Sequence, residues 1–387
     1  MTEFRYHKTG LFYGQISEEA KKLGVDELKE LGAQEIQQDY RGMHFHADMV
    51  TLFKIVYCSR LFSRFLAPLH RFDALSEDML YQRVKTMKWE EIIKPGQTFA
   101  IFANVGNSKI NHSKFAAQKM KDAICDRLRE KRGERPDIDP KNPDIWLNLF
   151  INKNKATIAL DLSGGSHHKR GYRQDSVEAP LMESLAAAFI RASEWDGKTP
   201  LYDPMCGSGT ILAEALMHAA RIPAGYLRKR FGFEHMPDFD ADIWSEVKAK
   251  ADARIKLPKE GLISGSDMDA DAVRASIVNL SYLPGGDKIK IIQSRFQDLD
   301  DLEPCTIITN PPYGMRLMKD EDVESFTGEI GDFLKNKCAG SNAWVFFGER
   351  KLILKIGLRP SRKFPLSNGG LDGRLCKFEM YRGNKWT

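Results

Sequence analysis

The 387-residue sequence predicts an α/β protein in two parts, an α+β region in front and an open, mostly parallel sheet behind it. Three observations predict this class. From Pro180 onward, short apolar runs alternate regularly with helical patterns, as a parallel sheet with crossover helices requires. Ahead of that stretch the order is less regular and ends in a hairpin pattern. Between the two, Gly164, Gly165 and Gly171 interrupt any regular element, so the boundary falls near 164–176.

Taken in order, the first 60 or so residues show short strand-like runs and one polar helix near 17–31, with nothing that suggests chemistry. A Pro-Gly turn at 94–98 leads into an apolar strand at 99–105 and then a helix over 113–131. Ser113 is expected to cap that helix, and Gly133 followed by Pro136 to end it. Phe115, Met120, Ile124 and Leu128 form its predicted inward stripe, and Lys114, Lys121, Arg129 and Lys131 its outer face, near Lys109. Residues 146–151 and 156–162, joined by a turn at 152–155, predict a β-hairpin. In the rear half the candidate strands are 201–203, 262–267, 289–293, 306–309 and 343–347. The tail, 363–366 and 375–382 around a turn-rich 367–373, predicts a closing antiparallel hairpin. The expectation is a parallel sheet with an antiparallel strand at one edge.

Composition narrows the class. The chain is 42% apolar, enough for separate cores, so it is neither disordered nor fibrous. Its six cysteines, Cys58, Cys125, Cys206, Cys305, Cys338 and Cys376, are scattered with no CxxC pair. They are expected to be reduced thiols, with no structural zinc or other metal. No stretch approaches the roughly 18 uninterrupted apolar residues of a membrane span, and the N-terminus lacks an apolar signal core. A soluble, cytoplasmic protein without membrane partners is expected. Net charge is +5, but residues 51–175 carry 23 Lys and Arg against 14 Asp and Glu, while residues 176–387 carry 29 against 30. A polyanion held through its phosphates would therefore be held by the front half, and more weakly as salt rises.

Three motifs carry chemistry. Asp203-Pro204-Met205-Cys206-Gly207-Ser208-Gly209-Thr210 follows a predicted strand and opens a helix. Glycines there let backbone approach a ligand, and the helix N-terminus offers unpaired N–H groups to a carboxylate. A dinucleotide site would show GxGxxG, which is absent. A single GxG after an acidic strand end is the form that holds the amino-acid part of S-adenosylmethionine, and Asp203, Cys206, Gly207, Gly209 and Thr210 are the candidates. Gly265-Ser266-Asp267-Met268-Asp269 ends the next strand, where a carboxylate can accept both hydroxyls of a ribose. Asp267 is the choice, because Asp269 or Asp271 is expected to cap the next helix. Asp298, in Ser294-Arg295-Phe296-Gln297-Asp298, is placed beside the adenine.

Asn310-Pro311-Pro312-Tyr313-Gly314 ends the fourth strand and is the most specific motif. An exocyclic amino nitrogen is a poor nucleophile because its lone pair is delocalised into the ring. The Asn310 side chain and the Pro311 carbonyl, accepting its two N–H groups, would aim that lone pair at a sulfonium methyl. Pro311 and Pro312 stiffen the backbone, and Tyr313 offers a face for a base taken out of its stack. Asn310 also borders the cofactor. His167-His168-Lys169-Arg170-Gly171-Tyr172-Arg173 is the most concentrated basic segment. It is expected to meet phosphate or the cofactor carboxylate through Lys169, Arg170 and Arg173, with Tyr172 packed against either, and with the two histidines as polar surface.

With these residues in view, the chain resembles the THUMP-domain methyltransferases that modify guanine at its exocyclic amino group in RNA, particularly the THUMP-bearing half of large-subunit ribosomal RNA guanine-N2-methyltransferases. The resemblance covers nearly the whole length. It rests on the basic module at about 60–165, on residues 168–173, on Ala179-Pro180-Leu181, on the two motifs containing Asp203 and Asn310, and on the segment Phe231-Gly232-Phe233-Glu234 with Pro237-Asp238-Phe239. It implies a ferredoxin-like piece over 1–60, an RNA-gripping THUMP domain over 61–165 and a Rossmann-like catalytic domain over 166–387. It also implies S-adenosyl-L-methionine as cofactor and RNA as partner, with 23S ribosomal RNA favoured and transfer RNA possible. Lys109, Lys114, Lys121 and Arg129 are the phosphate candidates. Some relatives carry a second methyltransferase after this one, whereas this chain, ending at Thr387, is expected to carry one activity. Met315, where an acidic residue is common, and Arg295, where a small or acidic one is usual, depart from the pattern. Three alternatives stay open: a transfer RNA guanine-N2-methyltransferase, a DNA adenine-N6 methyltransferase using the same Asn-Pro-Pro-Tyr chemistry, and a non-catalytic RNA-binding factor. Oligomeric state is not readable from the sequence.

Overall fold

Two seven-stranded sheets organise the chain, one in each of two units. The structure is a computed structural model and describes residues 4–175, 181–312, 320–368 and 371–381. The first unit comprises Met1–Ile16, Leu28–His167 and Arg228–Ala249, and the second Ser17–Glu27, His168–Leu227 and Lys250–Thr387.

In chain order the front elements are α1 (Arg5–Thr9), β1 (Leu11–Gln15), α2 (Lys21–Leu31), β2 (Gln34–Asp39), β3 (Gly42–His46), α3 (Met49–Cys58), β4 (Arg64–Asp73), α4 (Glu77–Lys85), β5 (Phe99–Gly106), α5 (Ser113–Arg132), β6 (Ile145–Asn152) and β7 (Lys155–Asp161). Their sheet runs β2-β3-β1-β4-β7-β6-β5, antiparallel except for the β5–β6 pair, which α5 connects as a parallel pair requires. The β6–β7 turn is two residues, Lys153 and Asn154, both at positive φ (50° and 58°), the conformation that matches strand twist in tight hairpins.

Helix α5 corrects two expectations. His112, not Ser113, occupies its N-cap position, and Phe115 is exposed. The buried stripe is Ala116, Met120, Ile124 and Leu128, a strict four-residue spacing that Phe115 breaks by one position, about 100° around the helix. Gly133 ends the helix in the left-handed region, as predicted. Helix α3 was not legible, because Leu52, Phe53, Ile55, Val56 and Tyr57 are all buried and leave no polar stripe to betray a helical period. The segment 228–249 joins this unit through rings. Phe233 lies 4.7 Å from Phe53, Trp244 lies 5.2 Å from Tyr57, and Phe231 stacks on Phe233 at 5.0 Å.

The rear elements are α6 (Glu183–Ala192), β8 (Leu201–Asp203), α7 (Thr210–Ala219), α8 (Ala241–Asp252), β9 (Ile263–Asp267), α9 (Ala270–Ser281), β10 (Lys290–Gln293), β11 (Thr306–Thr309), α10 (Asp320–Lys337), β12 (Asn342–Phe347), β13 (Arg362–Asn368) and β14 (Leu371–Glu379). Their sheet runs β10-β9-β8-β11-β12-β14-β13, with β10 through β12 parallel. The antiparallel strand expected at the edge lies one place inward: β14 pairs antiparallel with both β12 and β13, and β13 forms the edge. The hairpin itself is as predicted. Its second strand is the apolar one, with Leu375, Cys376 and Phe378 buried, so it takes the covered position. Strand order reverses between β8 and β11, and ligands of open α/β sheets bind at such a switch point, beyond the carboxyl ends of the strands.

Candidate active site

At the carboxyl end of β8 the chain turns through residues 204–209 into α7. Gly207 (φ 54°) and Gly209 (φ 79°) are left-handed, and Gly209 is the N-cap of α7. A Cβ on Gly209 would lie 2.9 Å from the Ser276 hydroxyl of α9, so the loop could not sit this close with a larger residue. Helix α9 tacks the loop down: Ser276 donates to the Gly207 carbonyl (2.6 Å) and Asn279 to the Ser208 carbonyl (3.0 Å). The first N–H groups of α7 are thereby held open toward the switch point. Thr210 is the first residue of α7. Cys206 is buried, and burial pushes its thiol well above the ordinary range, so it is a neutral packing group beneath the loop.

Asp203 is 1% exposed and accepts the Met205 N–H at 3.2 Å. Burial pushes its pKa up to about 7, assisted by the charge of Asp267 and opposed by the Thr309 hydroxyl and the Met205 N–H. Asp267, at the end of β9, accepts the Gly207 N–H (2.8 Å) on one oxygen and the Asp269 N–H (3.0 Å) on the other. It ties the second strand end to the glycine loop, and a carboxylate with about four lone-pair sites keeps capacity for a diol. Asp269 caps α9 by accepting the Asp271 N–H at 2.9 Å, as one of the two was expected to do. Asp298 is exposed at the end of a 3₁₀ turn anchored by buried Phe296.

Asn310 follows β11 directly. Its side-chain oxygen is buried and has no hydrogen-bond partner among the described residues. Pro311 is buried and Pro312 half-buried. Tyr313, with Gly314 and Met315, lies outside the described residues.

The basic segment does not form the surface expected of it. Arg170 is 1% exposed and pairs with Glu214 of α7 (3.2 Å), and the Tyr172 hydroxyl donates to the same carboxylate (3.2 Å). Arg170 therefore holds the segment onto α7 and presents no cation to a phosphate. Arg173 donates to the Thr210 hydroxyl (2.9 Å) and the Leu181 carbonyl (2.6 Å), and pairs with Glu183 at 3.5 Å. That places its guanidinium at the start of α7. Lys169 is exposed, and His167 is fully buried with its ring nitrogen 3.0 Å from the Ser59 carbonyl, not on the surface. Sequence reasoning missed Glu214, Ser276 and Asn279. A lone carboxylate in the apolar run Thr210–Ala219 was the available signal for Glu214; the other two had none. In the first unit, Lys109 and Lys114 are exposed with no ion pair among the described residues, whereas Lys121 pairs with Asp122 and Arg129 with Asp126, both at 2.7 Å.

Comparison with known proteins agrees with this arrangement. The THUMP domain profile matches residues 74–161, and that of the RMKL-like methyltransferase domain matches residues 170–377. A Synechocystis sp. protein named as an RNA methyltransferase is 36% identical over 96% of this chain and 97% of its own. The ribosomal RNA large subunit methyltransferase K/L of Syntrophotalea carbinolica is 37% identical over 95% of this chain, which spans 53% of that longer protein. The crystal structure of the methyltransferase-like protein SMU.472 with S-adenosylhomocysteine superposes with a TM-score of 0.85 at 28% identity, covering 97% of this chain and 99% of that one. Glycine loop, Asp267 and buried Asn310 oxygen thus stand on a scaffold shared along the whole chain, and the protein belongs to the RMKL-like methyltransferase family, with a THUMP domain ahead of a Rossmann-like domain that uses S-adenosylmethionine.

Proposed function

We propose that this enzyme methylates the exocyclic N2 amino group of a guanine in RNA, and that the RNA is 23S ribosomal RNA. The observation that carries the reading is the buried side-chain oxygen of Asn310 at the end of β11, which has no hydrogen-bond partner among the described residues. An acceptor left without a donor in the folded chain costs about 1–3 kcal/mol, and an incoming amino group recovers that cost. Bound S-adenosylmethionine supplies an electrophilic methyl on a sulfonium centre. The glycine loop and the α7 N-terminus hold its amino-acid part, with Arg173 beside the carboxylate, Asp267 accepts its ribose hydroxyls, and Asp298 meets its adenine. Asn310 and the Pro311 carbonyl each accept one N–H of the target amine, which turns its lone pair out of conjugation with the ring. Pro311 and Pro312 fix that geometry, and Tyr313 supports the extruded base. After transfer the nitrogen is acidic enough for a carbonyl or water to take its proton, so no strong base is required.

The ribosomal target is supported by the name of the Syntrophotalea relative and by the basic excess of residues 51–175. The test is nucleoside mass spectrometry for N2-methylguanosine on separated ribosomal and transfer RNA from cells with and without the protein. Loss confined to large-subunit ribosomal RNA is expected. Loss from transfer RNA would change the target and keep the chemistry, and no loss from either would overturn the reading in favour of DNA or of a non-catalytic role.

A further inference from the structure

The first unit carries an aromatic surface that the site above does not use. Ile145, Leu147, Leu149 and Ile151 of β6 are fully buried on one face of the sheet; the opposite face carries Phe102 on β5 and Phe150 on β6, 40% and 38% exposed. The parallel register pairs Phe102 with Asn148 and Asn104 with Phe150, so the two rings point the same way as diagonal neighbours, about 8 Å apart from strand geometry. The antiparallel registers extend the row, Phe150 opposite Thr157 and Thr157 opposite Arg71. Arg71 is exposed and has no ion pair among the described residues. At the other end the Arg64 guanidinium lies over Phe102 (5.1 Å) and over Trp146 (5.7 Å), held by its ion pair with buried Asp161. Of the carboxylates on this face, Asp161 is thus neutralised by Arg64, and Asp73 stands opposite exposed Lys155 in the β4–β7 register.

Phe102 meets Arg64 on one side, yet both rings keep more than a third of their surface in solvent. Exposed aromatic planes on a sheet, set between a fixed guanidinium and a free one, suit flat, partly apolar rings strung on a polyanion. We propose that this open face is a stacking platform for an unpaired segment of the substrate RNA, its bases resting on Phe102 and Phe150 and its phosphates on Arg71 and Lys155. The proposal rests on the reading of RNA as substrate and states which part of it is gripped: single-stranded bases, taken by shape and stacking, with little sequence preference.

The test uses the full-length protein and a fluorescein-labelled, unstructured RNA of about 12 nucleotides, a length within the span of single-strand binding surfaces. Anisotropy titrations compare the wild type, Phe102→Ala/Phe150→Ala, and Phe102→Trp/Phe150→Trp, with thermal melts to confirm folding. The double alanine variant is expected to bind the single strand at least about tenfold more weakly, with the tryptophan variant restored to the wild-type level or above. A duplex of the same length should not distinguish the three. Equal single-strand affinity in all three proteins overturns the platform, as does a change in sedimentation coefficient with RNA affinity intact, which would assign the rings to self-association. The outcome separates from the functional reading: dependence of oligonucleotide binding on the rings, without N2-methylguanosine formation in cells, keeps the platform and removes the proposed target.

Discussion

At the residue scale, the buried oxygen of Asn310 and the buried carboxyl of Asp203 make separate predictions. Asn310→Ala is expected to lower kcat by about 100-fold or more, the scale of one lost positioning contact in a transition state, while calorimetry shows S-adenosylmethionine binding little changed. Equal turnover in variant and wild type would sink the mechanism. Asp203 reports through pH. Its folded pKa of about 7 stands above the ordinary carboxyl value, so the stability it contributes is complete below about pH 4 and is lost as pH rises toward and through 7. Asp203→Asn, which mimics the protonated form, should melt higher than wild type at pH 8, by about 2–4 °C for each kcal/mol recovered, and the gain should vanish near pH 4. These residues were legible because they sit at strand ends beside glycine and proline, where few structural readings compete. Arg170 was misread for the converse reason: charge in a sequence says nothing about its partner, and Glu214 lies 44 positions away.

At the element scale, α7 joins two functions. Its N-terminus continues the glycine loop through the Gly209 cap, and its Glu214 fixes Arg170 and Tyr172. Glu214→Ala leaves a guanidinium buried without its carboxylate, a change expected to cost about 3–5 kcal/mol in thermal or denaturant unfolding. A loss under about 1 kcal/mol would mean that the pair is dispensable. Just before and at the start of α5, Lys109→Glu with Lys114→Glu should weaken RNA binding and flatten its dependence on log salt by up to about 0.9 per contact removed. An unchanged slope would move the phosphate contacts elsewhere. Strands of the rear sheet were readable almost to the residue, since β8, β10 and β11 are short apolar runs between turns. Helix α3 and the inward place of β14 were not, because both depend on what covers an apolar element, which local pattern does not contain.

At the scale of the whole molecule, the division into an α+β front and a Rossmann-like rear followed from the change of periodicity at Pro180, but the path of the chain between them did not. The segment Arg228–Ala249 belongs to the first unit although it is written between α7 and β9. Its aromatic residues gave no sign of their partners, since Phe53 and Tyr57 are more than 170 positions earlier. A fragment covering 1–167 alone is expected to expose those rings, bind a hydrophobic dye and lose cooperative melting. Fusing residues 228–249 to its end should restore a sharp transition, and a cooperative 1–167 fragment would show that the segment is accessory.

That interrupted first unit also fixes an order of events on the ribosome. Front domains ordinarily finish folding while the rest of the chain is still being made, but here the last ring of the first core emerges about 80 residues after His167, some 4–16 s later at ordinary elongation rates. By then β8 and the glycine loop have also left the tunnel. The nascent chain must therefore carry an unfinished aromatic cluster and the first strand of a second sheet side by side, an interval in which a chaperone that binds exposed phenylalanine and tryptophan would find its substrate.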